Sequence, residues 1–158
     1  MLIDLGCGWD KKPGYYGIDI QPLPGVDLVW DCNEKIPLDD SVAHAIFASN
    51  FLEHINNNKR IHIMTEIWRL LKPGGVLTAY VPSCNGPHAF QDPTHYSYWN
   101  EISFYYYVND EYRKMYCIIP RFDIITLKTH TTQRDMKAGT IEAVLKAVKP
   151  YPIGGSYV

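Results

Sequence analysis

Four strand-forming runs open this chain with almost no room between the first three for helices. Leu2–Leu5 reads as a buried strand and is cut by Gly6 and Gly8. Tyr16–Ile20 is stopped by Pro22 and Pro24, Val26–Asp31 follows, and Ala43–Ser49 has the continuous apolar character of a parallel strand. Only ten residues, Gly6 to Tyr15, separate the first run from the second, and they include Pro13 and Gly14. A parallel crossover normally takes a dozen or more residues, usually a helix. The stretch from Gln21 to Gly25 is shorter still.

The rest of the chain reads differently. Asn56 to Leu71 predicts a helix, with Ile61, Met64, Ile67, Trp68 and Leu71 recurring at spacings of three and four. Lys72-Pro73-Gly74-Gly75 ends it. Val76–Val81 predicts a fifth strand, stopped by Pro82. Glu101–Val108 predicts a helix, although its three successive tyrosines would also suit a strand. Phe122–Thr131 and Thr140–Val148 predict two final strands around a turn at Met136–Gly139. Strands alternating with helices predict an α/β fold, Rossmann-like, with a mostly parallel seven-stranded sheet. The last two strands have no helix between them and should form a C-terminal antiparallel hairpin. Helices should lie largely on one face.

A length of 158 residues fits one domain, 1–158, with a sizeable core. Apolar residues at 46% and charged residues at 20% exclude disordered and coiled-coil classes. No apolar run reaches the ~18 residues of a membrane span, and the first residues lack the basic segment of a signal peptide. Cys7, Cys32, Cys84 and Cys117 lie far apart with no Cys-x-x-Cys pair. They argue against a disulfide framework or zinc ribbon and suggest a reducing, cytoplasmic compartment. Net charge is −2 but uneven: residues 1–110 hold 7 Lys/Arg against 13 Asp/Glu, and residues 111–158 hold 8 against 4. The basic final third is either a solvated face or a patch for an anionic substrate. It is not the strongly basic domain of a tight nucleic-acid binder.

Asp4-Leu5-Gly6-Cys7-Gly8 ends the first strand, where open α/β sheets bind ligands. A third glycine three residues after Gly8 would complete a dinucleotide fingerprint, but Lys11 stands there. Asp19, at the end of the second strand, is placed either to accept two ribose hydroxyls or to start the turn before Pro22. Asp31, at the end of the third, either accepts from an adenine amino group or caps the next segment.

In order, these motifs are Asp4-Leu5-Gly6-Cys7-Gly8, Gly17-Ile18-Asp19-Ile20, Asp27-Leu28-Val29-Trp30-Asp31, Ser49-Asn50-Phe51-Leu52-Glu53-His54 and Trp68 through Gly75. Together they resemble the class I S-adenosylmethionine-dependent methyltransferases over residues 1 to about 82, most closely a compact branch with a short first crossover. The resemblance implies S-adenosyl-L-methionine as cofactor and S-adenosyl-L-homocysteine as product. By position, Asp4, Gly6, Cys7 and Gly8 would surround the methionine part, and Asp19 would hold the ribose. Ile20, Asp31 and Cys32 would frame the adenine, while Ser49 and Asn50 would line the methyl-transfer end. The expected reaction is methyl transfer to an oxygen or nitrogen of a small-molecule or saccharide-like acceptor. Two other readings stay open: a non-catalytic cofactor-binding protein or subunit of a hetero-complex, and an RNA-modifying methyltransferase.

Members of that family usually carry helices before strand one and between strands one, two and three. The short links between the first three strands predict that one sheet face lacks its helical cover, and parallel strands are apolar on both faces. A second copy of the chain is the expected cover, with a partner or the segment Glu111–Pro120 as the other choices.

On the acceptor side, His88, Asp92 and His95 follow the fifth strand among aromatic residues. His95 is the favoured general base, because its ordinary pKa suits proton removal near neutrality. A hydrogen-bonded structural His is the competing reading. Asn50-Phe51-Leu52-Glu53 lacks the proline pair of DNA amino-methyltransferases and has no Pro-Cys pair. Some relatives hold a divalent metal on Glu-x-x-Glu-His with a later His, but Asn50 replaces the first Glu here. Glu53 and His54 then read as the acidic start of the helix, and no metal is expected.

Overall fold

The computed structural model describes residues 1–132 and 135–149. Its strands are β1 (Leu2–Leu5), β2 (Tyr16–Asp19), β3 (Leu28–Val29), β4 (Ala43–Ser49), β5 (Leu71–Pro82), β6 (Phe122–Thr132) and β7 (Asp135–Ala147). They form one sheet in the order β3-β2-β1-β4-β5-β7-β6. The first five pair in parallel, and β7 runs antiparallel to both β5 and β6. The helices are α1 (Arg60–Leu70), α2 (His88–Gln91), α3 (Glu101–Tyr105) and α4 (Asp110–Met115). One-turn 3₁₀ segments at Leu52–His54 and Asn57–Lys59 lead into α1.

Several expected boundaries move. Only Leu28–Val29 of the third run pairs with a neighbour. Leu71 already pairs with Ala43, and Pro73-Gly74-Gly75 forms an irregularity before Val76 pairs with Ala45. Gly74 has φ +77 there, a conformation that glycine adopts without strain. Met136–Gly139 belong to β7 rather than to the expected turn, and residues 133–134 lie outside the described residues. On α1 the buried side is Ile63, Met64, Glu66, Ile67 and Leu70, whereas Ile61 is 48% exposed. The helix starts later than expected, and its packing face is set by how it leaves Asn57–Lys59.

Alternation along the strands distinguishes the two sheet faces. Ile3, Leu5, Ile46, Leu77, Ala79 and Leu145 are fully buried, in one cluster with Met64 and Ile67 of α1 and with Trp99 and Phe104. The opposite residues Phe47, Thr78, Tyr80 and Glu142 are only half-buried. No helix intervenes between β1 and β2 or between β2 and β3. Instead, the loop after β1 lays Lys12 4.1 Å over the Phe47 ring, and Tyr15 meets that ring edge-on. The second face is of mixed polarity rather than the large apolar patch expected. Glu111–Pro120 does not cover it: Tyr116 and Ile118 share a cleft with Arg60 and Ile61, beside the start of α1.

No helix links β3 to β4 either, and α1 fastens that connection by its side chains. The Arg69 guanidinium donates to the carbonyls of Ile36 (2.8 Å) and Leu38 (2.7 Å), to Asp40 (2.7 Å) and to both oxygens of Glu66. Glu66 also accepts from the Ile36 N–H at 2.8 Å. Asp40 is exposed, so its pairing adds little. Glu66 is 5% exposed, and stranding its charge is costly. Arg69→Met should therefore lower stability by about 3 kcal/mol in denaturant titrations, Asp40→Asn by under about 1. Equal losses for the two variants would contradict this account.

Candidate active site

The chain travels from β1 outward to β3, then returns to β4 beside β1. At such a reversal of strand order the carboxyl ends of the strands leave a crevice. Here the crevice is a cleft of about 500 Å³. Gly6 follows β1, Asp19, Ile20 and Gln21 come from the end of β2, Trp30–Asn33 follow β3, and Asn50 and Phe51 follow β4. His54, Ile55, Asn56, Thr94 and Tyr96 complete the wall.

Gly6 has φ +65, and a Cβ there would come within 2.6 Å of the Phe51 ring, so only glycine allows this close approach. Asn50 has φ +48, which asparagine tolerates better than most residues. Asp19 accepts from the Gly8 N–H at 2.8 Å and the Gln21 N–H at 2.9 Å. Its carboxylate therefore both faces the cleft and fixes the glycine loop. Asp31 closes a turn by accepting from the Asn33 N–H at 2.9 Å. Ile20 is 60% exposed beside them, offering an apolar surface to a planar group.

Of the expected cofactor residues, Gly6, Asp19, Ile20, Asp31, Cys32 and Asn50 line the cleft. Asp4, Cys7, Gly8 and Ser49 do not. Asp4 is buried and accepts from the Lys12 N–H at 2.8 Å, holding the loop from behind. Burial raises its pKa above the ordinary carboxylate value. Cys7 is buried against Gly17, and burial pushes its thiol up to about 11. Tyr96, one of the aromatic residues that follow the fifth strand, lines the cleft, and so do Trp30, Phe51 and Thr94, which the sequence did not single out. The strand-end position of Trp30 next to Asp31 is the one signal that could have found it.

The acceptor-side residues divide. His95 does not line the cleft. It stands behind His54, ring centroids 4.9 Å apart, with Nδ1 3.0 Å from the Ala89 carbonyl. Asp92 uses one carboxylate oxygen on Thr94 and holds the other 3.9 Å from His95 Nε2. His88 opens α2, exposed and away from the cleft-lining residues. Glu53 is different in kind: it is 1% exposed and neither carboxylate oxygen has a hydrogen-bond partner. Burial pushes its pKa up to about 7.

A family model for a methyltransferase domain matches residues 19–79. No curated protein matches the chain. Among solved structures, a SAM-dependent methyltransferase from Methanosarcina mazei is 18% identical, with a TM-score of 0.64 over 93% of this chain and 92% of its own. The Burkholderia thailandensis 1,6-didemethyltoxoflavin-N1-methyltransferase, solved with 1,6-didemethyltoxoflavin and S-adenosylhomocysteine, is 15% identical, with a TM-score of 0.65 over 94% and 71%. The cyclase SpnF reaches the same 0.65 at 15% identity, over 93% and 74%. The family model and the two methyltransferase structures are of the class I S-adenosylmethionine-dependent kind. They bear out the resemblance read from the motifs and the Rossmann-like fold expected from it.

The Glu53 pKa carries a pH signature. With the folded value raised from 4.5 to about 7, the folded state binds the extra proton between those values. Stability therefore falls as pH rises through that window, by up to about 3 kcal/mol. Chelator-dialysed wild type should melt at lower temperature at pH 8 than at pH 5.5. Glu53→Gln should flatten that difference, and an unchanged slope in the variant would assign it to other groups.

Proposed function

We propose that this chain, which has the fold of the class I S-adenosylmethionine-dependent methyltransferases, catalyses methyl transfer from S-adenosylmethionine to an oxygen or nitrogen of a small-molecule or saccharide-like acceptor. The observation that carries this reading is the cleft itself. Its volume suits a ligand of cofactor size, and its polar groups converge at the ends of four strands. In this reading Asp19 accepts the ribose hydroxyls with lone pairs not used by Gly8 and Gln21. Ile20, Asp31 and Cys32 frame the adenine, Gly6 lets the methionine part approach the backbone, and Asn50 stands at the methyl-transfer end. Methyl transfer is an in-line displacement, so most of the catalysis comes from alignment. Any proton removal falls to the group around Glu53, His54 and His95 rather than to His95 alone, because His54 separates His95 from the cleft.

Four free cysteines suit the reducing, cytoplasmic setting we assign to it. No helix among the described residues is long and apolar enough to cross a membrane. For the half-covered second sheet face we propose a second copy of the chain, the cover suggested by the missing crossover helices. Light scattering should then give twice the chain mass, and a single-chain mass from dilute to concentrated samples would end that proposal.

S-Adenosylhomocysteine at a hundred times its dissociation constant should stabilise the protein by about 2.7 kcal/mol. Asp19→Ala and Asp31→Ala should each weaken this saturable rise in melting temperature. The second variant keeps the glycine loop intact and separates lost binding from lost folding. Transfer of a labelled methyl group to an acceptor panel then tests catalysis, which the cyclase among the structural relatives shows the fold alone does not guarantee. No thermal rise in folded wild type would remove the cofactor assignment.

A further inference from the structure

A second cleft, of about 540 Å³, opens where the start of α1 meets α3 and the stretch from Tyr116 to Ile118. That volume suits a small organic molecule. It shares no lining residue with the cleft at the strand ends: Asn56 lines the first, Asn57 and Asn58 the second. Ile61, Ile102 and Ile118 give it apolar walls, and the rings of Tyr106 and Tyr116 give it flat ones. Those two rings lie 5.3 Å apart between centroids, and Tyr112 stacks on Tyr106 at 5.0 Å. Arg60 is the one charged residue on the wall among the described residues. Its half-buried guanidinium lies 4.2 Å from the ring of the fully buried Trp99, and its Nε is buried with no acceptor. The groups that favour its charge are the Tyr107 hydroxyl and the Cys84 thiol, neither of them a carboxylate. Tyr107 stays neutral, because burial pushes its pKa up to about 12. Arg69 and Arg113, by contrast, each bind a carboxylate and backbone carbonyls. Desolvating an arginine without giving it an acceptor is costly. Trp99 meets only the face of the guanidinium, which leaves the N–H donors on its edge without an anion. The Tyr107 hydroxyl, donating to the Arg60 carbonyl at 3.2 Å, holds the residue in place.

We propose that this second cleft binds an aromatic carboxylate, its carboxylate on the Arg60 guanidinium and its ring against Tyr106 and Tyr116. The edge of a guanidinium matches a carboxylate with two parallel N–H···O bonds. A single cation balances a single charge, so a carboxylate fits better than a phosphate ester, which carries nearly two. Tyrosine rings favour an aromatic body by offset or edge-on contact. The site does not rest on the methyl-transfer reading, because no residue assigned to S-adenosylmethionine lines it.

The test titrates the full chain with benzoate by isothermal calorimetry. Wild type should bind one equivalent with a Kd of about 1 mM, as suits so small a fragment. Benzamide, the same shape without the charge, should bind at least about tenfold more weakly, and phenyl phosphate no more tightly than benzoate. Arg60→Gln should weaken benzoate at least about tenfold, Tyr116→Ala severalfold, and Asp31→Ala not at all. Circular dichroism confirms folding. Tyr116 is 53% exposed, so Tyr116→Ala keeps the test decisive if Arg60→Gln fails to fold. No saturable binding up to about 30 mM benzoate overturns the proposal, as does equal binding of benzamide or undiminished binding by the folded variants of Arg60 and Tyr116. Tighter binding of phenyl phosphate overturns the choice of a carboxylate. The titration is repeated with S-adenosylhomocysteine present. Unchanged benzoate affinity supports two separate clefts, and displacement puts benzoate in the first cleft and overturns the proposal. Failure of S-adenosylhomocysteine itself to bind removes the cofactor assignment and leaves the benzoate site standing.

Discussion

Three aspartate carboxylates bond to the backbone where the short links between β1, β2 and β3 contain no helix. Asp4 takes the Lys12 N–H, Asp19 takes those of Gly8 and Gln21, and Asp27 takes that of Gly17 at 2.7 Å. A helix would satisfy such N–H groups internally, but a ten-residue link with Pro13 and Gly14 leaves them needing other acceptors. Hydrogen bonds to a charged acceptor contribute about 1.5–3 kcal/mol each, more than the exposed Lys11–Asp27 ion pair beside them. The cleft depends on this arrangement, because Gly6, the Asp19 side chain and the turn at Gln21 hold their positions only while the loop does.

The same economy explains what is legible in the sequence. β1 and β4 can be bounded to the residue because each is a mostly apolar run, broken only by Asp4 in the first and His44 in the second, that stops at a polar or glycine-containing turn. Gly6, Asp19, Asp31 and Asn50 can be assigned to the cleft because strand ends converge there whatever the loops do. Asp4 and Gly8 carry the same motif, yet one holds the loop from behind and the other donates to Asp19. Spacing alone does not separate a group facing a ligand from the group that supports it. The face of α1 is only partly legible: Met64 and Ile67 are buried as the helical period requires, whereas Ile61 fits the same period yet is exposed at the first turn. Tyr96 reaches the cleft through the backbone bonds that it and Ser97 make to Glu53, and Thr94 through its contacts with the His54 ring, pairings across forty residues or more that no local pattern encodes. The missing donors of Glu53 are a property of the packed interior, so its neighbours in sequence give no hint of them.

Fold and chemistry also part company here. The sheet order and the crevice at the β1/β4 reversal come from connectivity and would be present with many different side chains. The distinctive part of this molecule is the corner where Leu52–His54, the loop after α2 and the start of α1 meet. Ser97 binds the Leu52 carbonyl at 2.8 Å, and the indole of Trp99 binds Ser97 at 2.9 Å. That buried chain of bonds keeps the corner rigid although its pieces lie far apart in sequence.

The two walls of the cleft are fastened to each other as well as to the sheet. The Asn56 N–H donates to the Asn33 side chain at 3.0 Å, Lys59 reaches Glu34 at 3.6 Å, and Arg69 secures the continuation of the same segment at Ile36 and Leu38. A ligand entering between such walls finds them already in place and orders little of the chain as it binds. The heat capacity of binding would then follow the apolar area covered at Ile20, Trp30 and Phe51, without the larger decrement that accompanies coupled folding. Calorimetrically, this short-linked domain would behave like a rigid receptor.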